Sequence, residues 1–133
     1  MPLHVYIDSI PQDQHRYPTV GDYWRPAVKH YCLERTEIRV SEMQNEAFEL
    51  CVAIHELVEE FLTRSRGIAE ADITAFDIAF EKARAEGSLD EPGDSPDAPY
   101  HKEHIIATEI EKLVAAKLDI NWDEYEAAIN NLF

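Results

Sequence analysis

The sequence predicts an α+β domain in which a small antiparallel sheet packs on three to four helices. The first forty residues contain short apolar runs that alternate as strands do, whereas the apolar residues after position 41 recur at helical spacing. The chain has 133 residues, of which 45% are hydrophobic, and this is enough for one core. We therefore expect a single domain over residues 1–133, with a β-rich part at 1–40 and a helical part at 41–133.

Three segments of the β-rich part are candidates for the sheet. Residues 5–10 are a predicted strand, and residues 19–24 are a strand or a bend. A polar turn at 11–17 separates these two segments. Residues 37–40 alternate as expected of a half-buried strand. Together they predict the small N-terminal sheet.

The first predicted helix covers residues 42–65. Ser41, followed three positions later by Gln44, matches a capping box, and Gly67 supplies the stop. His55 lies in line with the apolar stripe of this helix, so we expect its imidazole at the edge of the interior. The stripe consists of Ala47, Leu50, Cys51, Ile54, Leu57, Val58, Phe61 and Leu62.

Three more segments complete the helical part. A second helix is predicted at 70–86, followed by a loop rich in Pro, Gly and Asp at 87–99. That loop is interpreted either as a connector or as a lid over a site. A third helix is expected from residue 99 or 100 to 118, with Ile106, Ile110, Leu113 and Val114 inward, and a short fourth helix at 122–132, capped by Asn121.

Asp77 is an acid on the apolar stripe of the second helix, between Ile73, Phe76 and Phe80. A buried carboxyl without a partner is costly, so we expect Asp77 to be buried and paired. One alternative is a hydrogen bond with a helix terminus or a tyrosine hydroxyl. The other is a role as the acid that orients a metal-bound His55.

The segment 55–59 carries the candidate chemistry. Residues one turn apart share a helix face, so His55 and Glu59 can bind one ion while Glu56 points at its open position. This is the arrangement of His-Glu-x-x-His helices, with Glu59 in place of the second His. In a chain with 27 acidic residues the same spacing also arises on a solvated helix face. The third predicted helix offers Glu103 or His104 as a third ligand, although an imidazole at a helix start is often only exposed or capping.

Charge and composition exclude several functional classes. The formal net charge of −15 disfavours direct contact with nucleic acid and with anionic membranes. Two uses of this charge remain, namely holding a cation and occupying a basic protein. No apolar run approaches the roughly 20 residues needed to cross a bilayer, and no secretion signal is recognisable at the start. Cys32 and Cys51 are expected to be free thiols, which favours the cytoplasm.

The order of these elements resembles the core of the zincin metallopeptidases. The likeness is carried by residues 38–41 as a strand, by residues 52–59 as the His-Glu helix, and by residues 103–107 on a later helix. Together they span about half of the chain. The resemblance implies a minimal zincin-like fold that binds a divalent metal and acts on a peptide.

Carried over position by position, the resemblance implies a role for each residue of the motif. His55 matches the first metal ligand, Glu56 the general base and Glu59 the second ligand, where the family pattern has His. Glu103 or His104 matches the third ligand. Zinc is the expected ion, and the carboxylate at position 59 also admits Mn²⁺ or Fe²⁺.

The whole chain is also similar to a group of small bacteriophage and prophage proteins. These share the His-Glu-Leu-x-Glu segment at 55–59 and the Gly-Asp-x-Pro-x-Ala-Pro-Tyr segment at 93–100. This resemblance implies a habitat, the cytoplasm of a host cell, and no particular activity. It leaves the oligomeric state open.

Three functional hypotheses follow. The first is a metal-binding, metallopeptidase-like hydrolase. The second is a non-enzymatic acidic protein that binds or inhibits a host protein, with a metal that only staples the helices together. The third is a Mg²⁺-dependent nucleotide pyrophosphatase, because Glu56, Glu59, Asp77 and Glu81 loosely resemble the ligands of that class.

Overall fold

A computed structural model describes residues 3–26, 35–85, 88 and 90–133 and confirms the α+β class. Strands come first along the described chain and helices follow. A 3₁₀ turn at Gln12–Gln14 links the first two strands, and another at Pro92–Asp94 precedes the third helix. The elements are β1 (Val5–Ile10), β2 (Gly21–Trp24), β3 (Thr36–Ser41), α1 (Glu46–Ser65), α2 (Glu70–Ala83), α3 (His101–Lys117) and α4 (Trp122–Asn130).

The sheet is mixed, so the expectation of an antiparallel sheet was wrong for one of its two strand pairs. The strand order is β1-β3-β2. Tyr23 of β2 lies opposite Ile38 in an antiparallel pair, whereas Ile7 of β1 lies opposite the same Ile38 in a parallel pair. Strand β2 therefore runs opposite to both β1 and β3. Because β3 inserts between the other two strands, it pairs with both.

Helix α1 begins later than the capping box predicted. Ser41 is the last residue of β3 and is fully buried, so it does not cap the helix. Gln44 has a positive φ of 54° and turns the chain out of the strand. Asn45 then caps α1, its Oδ1 accepting a hydrogen bond of 3.1 Å from the amide of Phe48.

The other predicted boundaries agree within a few residues. Helix α2 ends at Ala83, three residues before the predicted end at 86, and Arg84 follows as its C-cap. Helix α4 is capped as predicted, with the Oδ1 of Asn121 accepting from the amide of Glu124 at 3.0 Å. Gly67, which follows the C-cap Arg66 of α1, has a positive φ of 71°. Gly87 and Cys32 lie outside the described residues.

The faces of α1 and α3 that meet are smaller and more polar than predicted. Leu50 and Phe61 of α1 are exposed, as is Leu113 of α3, although all three were expected inward. In their place, the small Ala107 and Ala115 of α3 are buried and let the two helices approach closely. The space between the helices is thereby left to polar side chains, which is where the candidate site forms.

The described residues bury twelve apolar side chains and twelve polar or charged ones. A core of this composition has to satisfy its polar groups through one another. The apolar part is centred on Ile38, Val40, Cys51 and Tyr125, between the sheet and α1, α3 and α4. None of the helices described is long and apolar enough to cross a membrane.

Candidate metal centre

Two facing helices bring three ligand atoms into one triangle. Helix α1 contributes the Nε2 of His55 and the Oε2 of Glu59, which lie 3.0 Å apart. Helix α3 contributes the Nδ1 of His104, at 2.9 Å from this oxygen and 3.2 Å from the His55 nitrogen. A tetrahedral zinc ion separates its ligand atoms by about 3.3 Å, and an octahedral ion of similar bond length by about 2.9–3.0 Å. The triangle therefore has the size of a ligand set.

The members of this triangle are buried, with exposed fractions of 7% for His55, 5% for Glu59 and 5% for His104. In the described part of the chain they form one of two groups able to hold a metal ion, and the only fully buried one. Of the two candidates for the third ligand, the structure brings His104 to the cluster. Glu103 turns away, and its Oε1 lies 3.3 Å from the Nη1 of Arg66.

His55 is held by an acid that the sequence did not single out. Its Nδ1 lies 2.8 Å from the Oε1 of Glu111, whose other oxygen accepts a hydrogen bond of 2.5 Å from the hydroxyl of Tyr125. A carboxylate on the second nitrogen fixes the tautomer of a histidine ligand, so Glu111 would direct the Nε2 of His55 toward a bound ion. The orienting role that one hypothesis gave to Asp77 belongs to Glu111.

His104 is clamped by the 3₁₀ turn at Pro92–Asp94. The Nε2 of His104 lies 3.1 Å from the Oδ1 of Asp94 and 3.2 Å from the Oε2 of Glu91. The turn sits so close to the ring that a Cβ added to Gly93 would lie 2.4 Å from the Nδ1 of His104. The contact therefore requires glycine. With Nε2 held by the turn, the Nδ1 of His104 points at Glu59.

Glu59 completes the arrangement because both of its oxygens are engaged. Its Oε1 accepts a hydrogen bond of 2.9 Å from the hydroxyl of Tyr23 on β2, while Oε2 faces both imidazoles. Every candidate ligand thus has a second partner that fixes its orientation. Such partners are typical of metal ligands in proteins.

The electrostatics of the cluster favour positive charge at its centre. Burial alone would lower the pKa of His104, but hydrogen bonds to Glu59 and Glu91 outweigh it and raise that pKa to about 10. The pKa of His55 is likewise raised, because hydrogen bonds to Glu111 and Glu59 outweigh the effect of burial. Burial would raise the pKa of Glu59, yet hydrogen bonds from the two imidazoles lower it. A divalent cation would take the place of the protons held here.

Glu56 lies next to the triangle in a cavity of about 360 Å³ that is also lined by His55, Glu59 and His104. The strand β2 approaches it closely, since a Cβ added to Gly21 would lie 2.9 Å from the Oε1 of Glu56. Burial, with the negative charge of Glu59, raises the pKa of the Glu56 carboxyl well above its usual value. A carboxylate with a raised pKa is suited to accept a proton near neutral pH.

Asp77 is buried and paired, as the sequence predicted. It is 7% exposed, its Oδ1 accepts a short hydrogen bond from the hydroxyl of Tyr100, and its Oδ2 accepts one of 3.0 Å from Tyr17. The tyrosine alternative is therefore confirmed. Burial raises the pKa of Asp77 to about 6, although both hydrogen bonds act in the opposite direction.

The residues that the sequence analysis missed could not have been found from local patterns. Glu111 lies four residues from Ala107 and from Ala115, but only the structure shows that these alanines mark the packed face of α3. Tyr23 and Tyr125 reach the site only through tertiary structure. Neither residue has a local pattern that predicts it.

Comparison with known proteins gives no match to a family model, to a curated protein or to a solved structure.

Proposed function

We propose that the protein is a metal-dependent hydrolase that holds one divalent ion on His55, Glu59 and His104. The observation that carries this proposal is the buried triangle of ligand atoms, each edge of which measures 2.9–3.2 Å. Two imidazoles and one carboxylate are a ligand set used by zinc hydrolases and by Fe²⁺ enzymes. Zinc is the first candidate, with Mn²⁺ and Fe²⁺ as alternatives.

Glu56 is the proposed general base. When bound, the ion would supply Lewis acidity and lower the pKa of a coordinated water. Glu56 takes a proton from the attacking water and passes it to the leaving group. Glu111, Tyr23 and Asp94 keep the ligands oriented during the reaction. A peptide is the first candidate for the substrate.

The cavity favours catalysis over a purely structural metal. A structural site is closed by a fourth protein ligand, whereas a catalytic site leaves one position for water. In the part of the chain that the structure describes, three residues form the buried group, and they line a cavity with room for a ligand. A binding protein for a host partner remains the alternative, and the phage or prophage habitat stays a prediction from the sequence.

Metal analysis tests the ligand set. Untagged protein is loaded with Zn²⁺ or Mn²⁺, dialysed and measured by elemental analysis. We expect about one ion per chain, retained by a Glu103→Gln control and lost in His55→Ala and His104→Ala. The control is matched because Glu103 is the buried neighbour of His104 and lies outside the triangle. Equal retention by all four proteins would contradict the proposed site.

Glu56→Gln tests the catalytic step. The variant should keep the metal and the melting temperature of the parent, because no ligand is removed. Its turnover of a mixed library of quenched fluorescent peptides should fall at least about 100-fold, the effect of losing a general base. Unchanged turnover would refute the role of Glu56. If the metal-loaded parent shows no turnover and its biological effect survives Glu56→Gln, the results favour the alternative that the protein acts by binding a host partner.

A further inference from the structure

Asp77 has no counter-charge in the part of the chain that the structure describes. Both of its oxygens accept hydrogen bonds, but the donors are the neutral hydroxyls of Tyr17 and Tyr100. None of the ion pairs among the described residues includes Asp77. A carboxylate buried to this degree is costly unless a cation compensates it.

The neighbouring acids at the cavity wall do have such a cation. Arg16 donates to both oxygens of Asp22, at 2.6 and 2.9 Å. Arg84 does the same for Glu81, at 2.8 and 2.7 Å. Both arginines are therefore engaged in two-point pairs, so neither of them compensates Asp77.

The surroundings of Asp77 suit a positively charged group. Asp77 lines the same cavity as His55, Glu59 and His104, and so do Tyr17 and Tyr100, whose hydroxyls donate to it. A carboxylate oxygen that accepts one hydrogen bond retains a second lone pair for another donor. An anionic ligand would meet several carboxylates here.

We propose that Asp77 binds a positively charged group of the substrate, an ammonium or a guanidinium, next to the metal centre. The inference rests on the proposed function because it takes this cavity to be the place where the substrate binds. It narrows the substrate class to peptides that carry a basic side chain or an amino terminus near the bond to be cleaved. The nitrogen protons of that group would use the free lone pairs of Asp77.

A pair of small probes tests the inference. n-Butylguanidinium and its neutral counterpart n-butylurea have the same length, and their binding can be compared by NMR titration of the metal-free and zinc-loaded protein. We expect the guanidinium to bind at least about tenfold more tightly than the urea to the parent protein. Asp77→Asn, which keeps the size of the side chain, should remove this difference.

Asp72→Asn is the matched control, since Asp72 is an exposed acid on the same helix and does not line the cavity. It should preserve the preference of the parent. Equal binding of the two probes to the parent overturns the inference without any variant, and so does an Asp77→Asn protein that folds and keeps the preference. A melting temperature for each variant separates loss of binding from loss of fold.

The two proposals fail in different ways. If the chain retains no metal but prefers the guanidinium through Asp77, the hydrolase proposal fails and the recognition site stands. If metal and peptide turnover are present but peptides with Arg or Lys are not preferred and the probes bind equally, the recognition site fails alone.

Discussion

At the scale of single residues, two glycines matter more to the candidate centre than their lack of a side chain suggests. Gly21 lets β2 approach Glu56, and Gly93 lets the 3₁₀ turn lie against the ring of His104. Both contacts would place a Cβ under 3.0 Å from its neighbour, so any larger residue must displace Glu56, His104 or the backbone that lies against them. These glycines are therefore part of the positioning of the site.

Gly93→Ala should weaken metal binding. The added methyl group would displace His104 or the turn that carries Asp94, which fixes the second nitrogen of the imidazole. Loss of an orienting partner typically costs about 10–100-fold in metal affinity, and we expect an effect of this size in a zinc competition titration. Pro96→Ala is the control, because Pro96 is exposed in the same loop. Equal affinities of the two variants would show that the clamp is not needed.

The limits of sequence reasoning at this scale are physical. The spacing of His55 and Glu59 is a property of any helix, so it could be predicted locally. The choice between Glu103 and His104 could not, because adjacent helix positions differ by about 100° in direction. The small residues at 107 and 115, not the larger Leu113, decided which direction faces α1. An apolar stripe alone therefore gave the wrong rotation for α3.

At the scale of elements, α4 supports the centre through α3. The hydroxyl of Tyr125 donates to Glu111, and Glu111 in turn holds the Nδ1 of His55 on α1. Tyr125 is fully buried and stacks edge-on against Phe48 of α1 and Trp122 of α4. Three helices are thus joined by one hydrogen-bonded chain that ends at a candidate ligand.

Tyr125→Phe should reduce both stability and metal affinity. It keeps the ring but removes the donor to a buried carboxylate, which costs about 1–3 kcal/mol in the free energy of unfolding. Because Glu111 is then less firmly held, zinc affinity should fall by about tenfold or more. Urea denaturation and zinc titration measure the two effects. Glu126→Gln, at an exposed neighbouring position on α4, should change neither quantity. An unaltered zinc affinity in Tyr125→Phe would show that α4 does not contribute to metal binding.

The elements themselves were predictable to different degrees. Periodicity located all four helices, and the Asn121 cap was identified from its side chain alone. The parallel pairing of β1 with β3 depends on which strand takes the centre of the sheet, and this is decided by tertiary packing. The start of α1 was misplaced because the turn at Gln44 and Asn45 competes with the Ser41 pattern.

At the scale of the whole molecule, the acidic composition and the buried cluster are connected. A chain with a formal charge of −15 repels itself, and the carboxylates of Glu59 and Glu111 lie buried against His55 and His104. Protons on these imidazoles relieve part of the repulsion in the absence of a metal, and a divalent ion would relieve it instead. Protons and metal should therefore compete.

Stability should consequently depend on pH less steeply with metal than without it. The pKa of His104 is near 6.5 in the unfolded chain. In the folded protein it is about 10, because hydrogen bonds to Glu59 and Glu91 outweigh the lowering effect of burial. A raised pKa gives stabilisation that is complete below pH 6.5 and is lost as the pH rises through 10. The melting temperature of the metal-free protein should fall over this range. The pKa of His55 is shifted in the same direction, so both imidazoles contribute.

Zinc should offset this trend, because its apparent affinity rises by up to about tenfold per pH unit for each proton that it displaces from the folded protein. The increase in melting temperature caused by Zn²⁺ should therefore grow between pH 6 and pH 8, as measured by differential scanning fluorimetry with and without a chelator. His104→Gln should flatten both trends, while His4→Gln, outside the cluster, should keep them. A zinc effect that is constant over this range would mean that the ion does not replace the protons of the buried triangle, and it would place the metal elsewhere on the acidic surface.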